Sequence, residues 1–138
     1  MRALNVLFAA AFEDPDSYVP EPDDAYLHRV LGKSDTLVLV ALEGEDVVGG
    51  LVGYLLEKLE QARAEFYIYD LAVEARHRRK GIATRLIEEA GHRAARMGAW
   101  VSFVQADHVD PPAIALYTKL GTREEVLHFD IPIPRRGD

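Results

Sequence analysis

Four basic or potentially basic residues stand directly before a glycine and the start of an apolar helical pattern. The stretch reads HRRKGIATRL, from His77 to Leu86. Unpaired N–H groups and the positive end of the helix dipole attract anions, and glycine lets a phosphate approach the backbone. Basic side chains oppose that dipole unless a ligand reverses the local charge. The stretch therefore predicts a phosphate site in which Arg78, Arg79 and Lys80 pair with phosphate oxygens, with a solvated basic loop as the alternative.

Three carboxylates are candidates for binding a cation or accepting a proton. Asp70 lies inside an otherwise apolar strand pattern, where a charge is costly unless it faces a cleft or a partner. Asp107 and Asp110 follow another strand pattern, WVSFVQA, and strand ends are where open α/β sheets place ligands. Capping of the next helix is the alternative role for Asp110. The five histidines have no ligand-like spacing, so we expect no metal.

Hydrophobic periodicity predicts the elements that position these residues. Residues 2–13 have helical spacing, and an acidic, proline-containing loop follows before a short helix that ends at Gly32. Predicted strands come next, then a helix from Gly81 to Gly98, a further strand, a helix and a last strand. The predicted strands are 36–42, 47–59, 65–73, 99–106 and 124–131, and the fourth helix is 111–121. This order predicts an α/β fold with a mixed sheet that contains at least one parallel pair.

Length and composition limit the classes of function. The 138 residues predict one domain, 1–138, and the net charge of −7 argues against nucleic acid as a partner while it suits a cationic small-molecule amine. The chain has no cysteine, which excludes disulfides and cysteine nucleophiles. No apolar run approaches the ~20 residues of a membrane span, so we expect a cytoplasmic protein without a membrane partner.

The motifs together resemble a known family. RRKGIA fits the R/Q-x-x-G-x-G/A signature of the GNAT superfamily of N-acetyltransferases, with Arg78, Gly81 and Ala83 on its fixed positions. The series IYDLAV, HRRKGIAT, VQAD and ALYTKLGTREEVLHFDI is similar to the type I aminoglycoside 3-N-acetyltransferases, most densely from Glu65 to Ile131. The resemblance implies a GNAT-type, mostly antiparallel sheet with flanking helices and one central parallel pair that splays at the acetyl-CoA site. The usual first strand of that fold has no counterpart before the first helix.

The resemblance also implies acetyl-CoA as the cosubstrate and gives roles to the residues around the turn. The backbone of Leu71, Ala72 and Val73 would pair with the pantetheine arm, and an N–H group near Val73 would face the thioester oxygen. The N–H groups of the turn and of the helix start would surround the pyrophosphate. Those residues are Arg79, Lys80, Gly81, Ile82, Ala83 and Thr84.

Chemistry at the amine and at the thiol needs further groups. The resemblance implies that Tyr117 is the acid that protonates the departing thiolate, whereas packing in the core is its alternative role. Asp107 and Asp110 are the candidate catalytic carboxylates, although the superfamily often has asparagine at the second position, where it contacts pantetheine. Tyr69, Asp70 and Asp107 are the candidate substrate-binding residues.

The leading hypothesis is acetyl transfer to an amine of an aminoglycoside antibiotic, with the 3-amino group as the expected acceptor. The acidic loop from Glu13 to Asp24 offers carboxylates to such a polycation, although solvated loop acids are the more common explanation. Other small amines such as polyamines, protein amines, and a non-catalytic acyl-CoA sensor are the alternatives. A homodimer is compatible with the apolar strands.

Overall fold

The computed structural model describes residues 1–137, which form two compact units. The first unit runs from Met1 to Gln105 and contains a four-stranded sheet with helices on both faces. The second unit begins at Ala106 and contains one helix. The mixed, mostly antiparallel sheet with flanking helices confirms the predicted fold class.

The sheet has the strand order β1-β2-β3-β4. The strands are β1 (Thr36–Glu43), β2 (Asp46–Glu57), β3 (Ala64–Val73) and β4 (Ala99–Val104). The first three strands are antiparallel neighbours, and β3 and β4 form the predicted parallel pair. That pairing ends at Ile68 and Val104, so no strand of the described residues lies beside the last five residues of β3 on this side. The end of β3 is therefore an open strand edge.

Four α-helices and two short 3₁₀ helices complete the described chain. The α-helices are α1 (Arg2–Ala11), α2 (Asp24–Leu31), α3 (Ile82–Arg96) and α4 (Pro111–Leu120), and the 3₁₀ helices are Pro15–Tyr18 and Ala75–His77. All four predicted helices are present, with ends within two residues of those predicted. None of the helices within residues 1–137 combines the length and the apolar composition needed to cross a membrane.

Two apolar clusters hold the helices of the first unit on opposite faces of its sheet. One cluster joins the sheet to α3 and contains Leu51, Phe66, Ile68, Leu86, Ala90 and Ala94, all buried. The other joins the sheet to α1 and contains Leu4, Phe8, Val52 and Ala72. Each cluster buries the apolar face of its helix, which the hydrophobic periodicity of the sequence predicts. The sheet is thus the middle layer of three.

The predicted last strand, residues 124–131, is absent, and this prediction was wrong. The segment alternates polar and apolar residues as a strand does, yet it pairs with no strand among the described residues. Val126, Leu127, Phe129 and Ile131 are 69–83% exposed. Alternation supplies propensity for a strand, but a strand forms only where a neighbouring edge accepts its backbone hydrogen bonds.

A bulge interrupts the β2–β3 ladder between Val52 and Gly53. On the β2 side, Gly53 faces the ring of Phe66 so closely that a Cβ atom at this position would collide with it. The absence of a side chain thus lets the largest residue of the α3 cluster lie flat against the sheet.

We expect Gly53→Ala to lower the free energy of unfolding by about 1–3 kcal/mol, because overpacking a filled core forces side chains from their rotamers. Urea denaturation measures this difference. Gly91→Ala is the matched control, since it adds the same methyl group within α3. Apart from its chain neighbours and the nearby backbone of the helix, no atom of the described residues lies within 4 Å of the added methyl group. This control should be neutral or stabilising, as alanine favours helix. Equal unfolding midpoints for Gly53→Ala and the parent protein would contradict this account of the core.

Candidate active site

The turn between β3 and α3 has the backbone of an anion site. Gly81 precedes the helix at φ 77°, and Arg79 also has a positive φ, 64°. The first hydrogen bond of α3 runs from the N–H of Arg85 to the carbonyl of Gly81. No side chain of the described residues caps this end, and its first turn contains no acidic residue. The N–H groups at the start of α3 are therefore available to a ligand.

The three basic side chains of the turn differ in their contacts. Arg78 donates through Nε to the carbonyl of Val73 at 3.2 Å, so this side chain fastens the turn to the end of β3. Within residues 1–137, neither Arg79 nor Lys80 has a carboxylate within ion-pair distance. Arg79 and Lys80 are exposed. Their positive charges therefore lie on the solvent-exposed side of the turn, where the negative charge of a phosphate would neutralise them.

The bulge in the β2–β3 ladder also sets the direction of Asp70. Asp70 is opposite Val52, which belongs to the α1 cluster, while Ile68 is opposite Gly53 on the α3 side. Tyr69 is the extra residue between them. As a result, Asp70 lies on the α1 face of the sheet, two residues before the buried Ala72.

Tyrosines surround this carboxylate. Tyr69 makes edge-to-face contacts with Tyr54 and Tyr67, at ring-centroid distances of 5.8 and 5.4 Å. Burial and then the negative charge of Asp70 raise the pKa of Tyr18 to about 12. Burial also raises the pKa of Tyr54, and Asp70 again contributes. These phenols therefore stay neutral donors at physiological pH.

A stacked pair and one hydrogen bond fix the ring of Tyr67. It stacks on Phe103 of β4 at 4.5 Å between centroids, and its hydroxyl donates to Oε1 of Gln105 at 2.8 Å. Burial raises the pKa of this tyrosine as well, with Tyr69 and Asp70 adding to the effect. The wall of the site on this side is thus rigid.

Asp70 itself is half-buried and has no salt-bridge partner among the described residues. Burial raises the pKa of its carboxyl group. A half-buried carboxylate without a cation is unfavourable, and a positively charged ligand would compensate it. The arrangement can therefore bind an ammonium group and accept a proton from it.

The sequence identified Tyr69 and Asp70 but missed Tyr18, Tyr54 and Tyr67. The available signal was Gly53, since an isolated glycine inside a strand pattern indicates a bulge. A bulge breaks the strict alternation of sides and brings neighbouring residues to the same face.

The second unit contains the three candidate catalytic residues. The carboxylate of Asp110 accepts the N–H of Ala113 at 3.3 Å and caps α4, so the capping role foreseen for it is present. Asp107 is exposed, and its carbonyl accepts the N–H of Asp110 at 3.1 Å. Tyr117 is half-buried in α4, and burial followed by the charge of Asp110 raises its pKa. Tyr117 therefore retains the proton that an acid needs.

The acidic loop is in part structural. Glu21 and Asp24 form salt bridges with Arg2 at 2.9 and 2.7 Å. Asp23 caps α2 by accepting the N–H of Tyr26 at 2.8 Å. Three acidic residues of this loop therefore stabilise α1 and α2 through salt bridges and a helix cap. Among residues 1–137, no group of three potential ligand side chains is arranged to hold a metal ion.

The chain is similar to solved aminoglycoside acetyltransferases. One, HMB0005 from an uncultured soil metagenomic sample, is 53% identical, with a TM-score of 0.94 over 97% of this chain and 90% of that chain. Another, meta-AAC0020 from an uncultured soil metagenomic sample, was solved in complex with sisomicin. It is 34% identical, with a TM-score of 0.89 over 96% of this chain and 88% of that chain.

A relative of another kind is N-alpha-acetyltransferase 30 of Xenopus laevis, 30% identical over 105 residues. The alignment covers 73% of this chain and 37% of that protein, so the chain spans little more than a third of its length. Residues 2–122 match the model of the Acetyltransferase (GNAT) family. This match includes the open edge of β3, the basic turn and α4, and the chain therefore belongs to the GNAT family of acetyltransferases, enzymes that use acetyl-CoA.

Proposed function

We propose that the protein moves the acetyl group of acetyl-CoA to an amine of an aminoglycoside, at its 3-amino group, by direct attack in a ternary complex. The observation that carries the proposal is the half-buried carboxylate of Asp70, unpaired within residues 1–137, among tyrosines on the strand that leads to the basic turn. The 53% identity to an aminoglycoside acetyltransferase supports the choice of acceptor. Such an activity in the cytoplasm would confer antibiotic resistance.

On this proposal, acetyl-CoA binds along the end of β3 and over the start of α3. Leu71, Ala72 and Val73 lie on the strand edge that β4 leaves open, and a pantetheine arm carries amide groups that can pair with such an edge. The pyrophosphate then meets the N–H groups from Arg79 to Thr84, and Lys80 adds positive charge. An N–H group near Val73 would stabilise the oxyanion that forms at the thioester.

The amine would bind at Asp70. An aminoglycoside carries several ammonium groups, and a half-buried carboxylate favours one of them over water. Tyrosine rings add cation–π attraction, which suits Tyr54, Tyr67 and Tyr69 to the same ligand. The raised pKa of Asp70 improves it as a proton acceptor, because a stronger base removes the ammonium proton more readily.

In the reaction the neutral amine attacks the thioester carbon and forms the C–N bond, and the C–S bond breaks as the tetrahedral intermediate collapses. We propose that Tyr117 gives its proton to the departing thiolate. The proton that the new amide nitrogen loses passes to solvent, and solvent returns a proton to the Tyr117 phenolate. Asp107 and Asp110 stay candidates for a second carboxylate at the amine, although Asp110 is already occupied as a helix cap.

A protein α-amine is the second candidate acceptor, favoured by the similarity to N-alpha-acetyltransferase 30. Acetyl-CoA turnover with gentamicin, spermidine and peptides with free N-termini separates the candidate acceptors. We expect the aminoglycoside to give the highest kcat/KM, and the site of acetylation in its product, determined by NMR, tests the 3-amino position. Turnover with peptides alone would replace the proposal with the second candidate.

Gly81→Asp should abolish CoA binding, because it places a carboxylate where the pyrophosphate is expected. Isothermal titration calorimetry with CoA measures the effect. Gly98→Asp is the control, since Gly98 lies beyond the other end of α3 with φ 96°. Apart from Gly98 and its two chain neighbours, no atom of the described residues lies within 4 Å of the place that a Cβ would take. This control imposes the same backbone strain and the same charge but should leave CoA affinity unchanged. Normal affinity in a folded Gly81→Asp protein would place the phosphates elsewhere.

Asp70→Asn should raise the KM for the aminoglycoside and lower kcat, with little change in CoA affinity. It should also stabilise the free protein at neutral pH. The pKa of Asp70 is raised in the folded state, so stability falls as the pH rises through the range in which this carboxyl ionises. Asparagine stays neutral, and its advantage in melting temperature should disappear near about pH 4. Asp35→Asn, an exposed acid outside any ion pair of the described residues, controls for net charge. An unchanged KM would remove Asp70 from the amine site.

Tyr117→Phe should reduce turnover by about 10²–10⁴-fold, the usual contribution of general acid–base catalysis. The ring and its packing are kept, so the melting temperature and the affinity for acetyl-CoA should match the parent protein. Steady-state kinetics at saturating acetyl-CoA and aminoglycoside measure the effect. A rate within about twofold of the parent would assign Tyr117 to packing alone.

A further inference from the structure

His77 is a shielded side chain directly before the basic turn. It ends the 3₁₀ helix Ala75–His77 and is only 13% exposed, whereas Arg76 and Arg78 on either side are exposed. Although His77 belongs to the basic stretch of the sequence, its ring is largely enclosed. Its role in the turn must therefore follow from what it contacts.

The ring contacts two carboxylates from different strand ends. Nε2 lies within ion-pair distance of a carboxylate oxygen of Glu43, the last residue of β1. Nδ1 is buried without a hydrogen-bond partner in the described part of the chain, and it points toward Oε2 of Glu74 at 3.9 Å. The other oxygen of Glu74 accepts the Nε–H of Arg76 at 2.8 Å. An imidazole held between carboxylates is poorly placed to bind a phosphate itself, since both neighbours repel anions.

The backbone of the turn needs support of this kind. Arg79 has φ 64°, a region that costs a non-glycine residue free energy and that persists only where the surroundings enforce it. Arg78 fastens one side of the turn to the carbonyl of Val73. Glu74 fastens the segment before it through its N–H, which donates to the carbonyl of Val48 at 2.7 Å. The side chain of His77 makes a direct ion-pair contact from this segment to β1.

We propose that His77 is a positioning residue for the pyrophosphate turn: through Glu43 it ties the segment before Arg78 to the end of β1, so that the N–H groups at the start of α3 stay aligned. This inference rests on the proposed function, in which the turn binds the phosphates of CoA. His77 and Glu43 touch no reacting atom in it. Their effect passes through the geometry of the backbone.

The proposal predicts that removal of Glu43 changes the affinity for CoA in the direction opposite to that expected from charge repulsion alone. Removal of a carboxylate near an anion site should strengthen anion binding by reducing repulsion. If Glu43 instead holds His77, Glu43→Ala should weaken CoA binding, by about 10-fold or more for the loss of this charged contact. Glu45→Ala is the matched control, because Glu45 is an exposed acid in the adjacent β1–β2 turn. It removes the same charge without a contact to His77.

Substitutions of His77 provide the second arm. The amide nitrogen of Gln occupies roughly the position of Nε2, so His77→Gln should keep the contact with Glu43 and stay within about threefold of the parent affinity for CoA. His77→Asn cannot reach Glu43 and should weaken CoA binding about as much as Glu43→Ala. The KM for acetyl-CoA should rise accordingly, while kcat at saturating acetyl-CoA should change less than about twofold. S-acetylpantetheine, which has no phosphate, should bind all variants equally.

Calorimetry on the full chain with CoA and with S-acetylpantetheine decides the matter. Weaker CoA binding by Glu43→Ala and His77→Asn, unchanged binding by Glu45→Ala and rescue by Gln would support the proposal. Unchanged or tighter CoA binding by Glu43→Ala would overturn it, as would an equal loss for S-acetylpantetheine. Glu43 is 67% exposed, so its substitution leaves a folded protein even if the His77 variants are unstable. A parent protein that binds no CoA would instead overturn the proposed function.

Discussion

The position of one extra residue in β3 determines both the packing of the first unit and the face of the sheet on which Asp70 lies. Ile68 and Leu71 both pack toward α3, yet they are three residues apart, an odd separation that a regular strand cannot place on one face. The bulge at Val52 and Gly53 accommodates Tyr69 as the additional residue. It keeps the α3 cluster continuous, and as a consequence it turns Asp70 to the opposite face.

This placement gives β3 three successive roles in the proposed reaction. Asp70 would hold the amine, the backbone from Leu71 to Val73 would hold the pantetheine arm, and the turn that follows would hold the phosphates. The amine needs a negative charge, at Asp70, and the phosphates need positive charge, at the basic turn. The residues from Leu71 to Val73 separate the two. The parallel partner β4 stops at the level of Ile68, so the middle part of this series is left open. On this proposal, one strand would order the acetyl donor and the amine acceptor along its length.

The sequence predicted most of this arrangement because its signals are local. Apolar periodicity, the glycine before α3 and the basic turn each depend on residues close together in the chain, and the corresponding elements are present. The bulge was not predicted, because it depends on the register between two strands. Since the bulge brings the tyrosines to the face of Asp70, they were missed as well. The prediction of a strand at residues 124–131 failed for a related reason, since alternation within a segment does not specify which strand it pairs with. The contact between His77 and Glu43 joins residues far apart in sequence, and periodicity contains no information on it.

The unfavourable features of the first unit lie together on its proposed ligand side. Within residues 1–137, Asp70 is half-buried without a cation, Arg79 has a strained backbone, and the start of α3 has no acidic residue or side-chain cap. In contrast, both apolar clusters contain no buried polar residue. Each unfavourable feature would be relieved by a specific part of the proposed ligands: an ammonium group for the carboxylate, and a pyrophosphate for the turn and the helix start. Because the same features lower the stability of the free protein, their concentration at one strand end is better explained by binding than by folding.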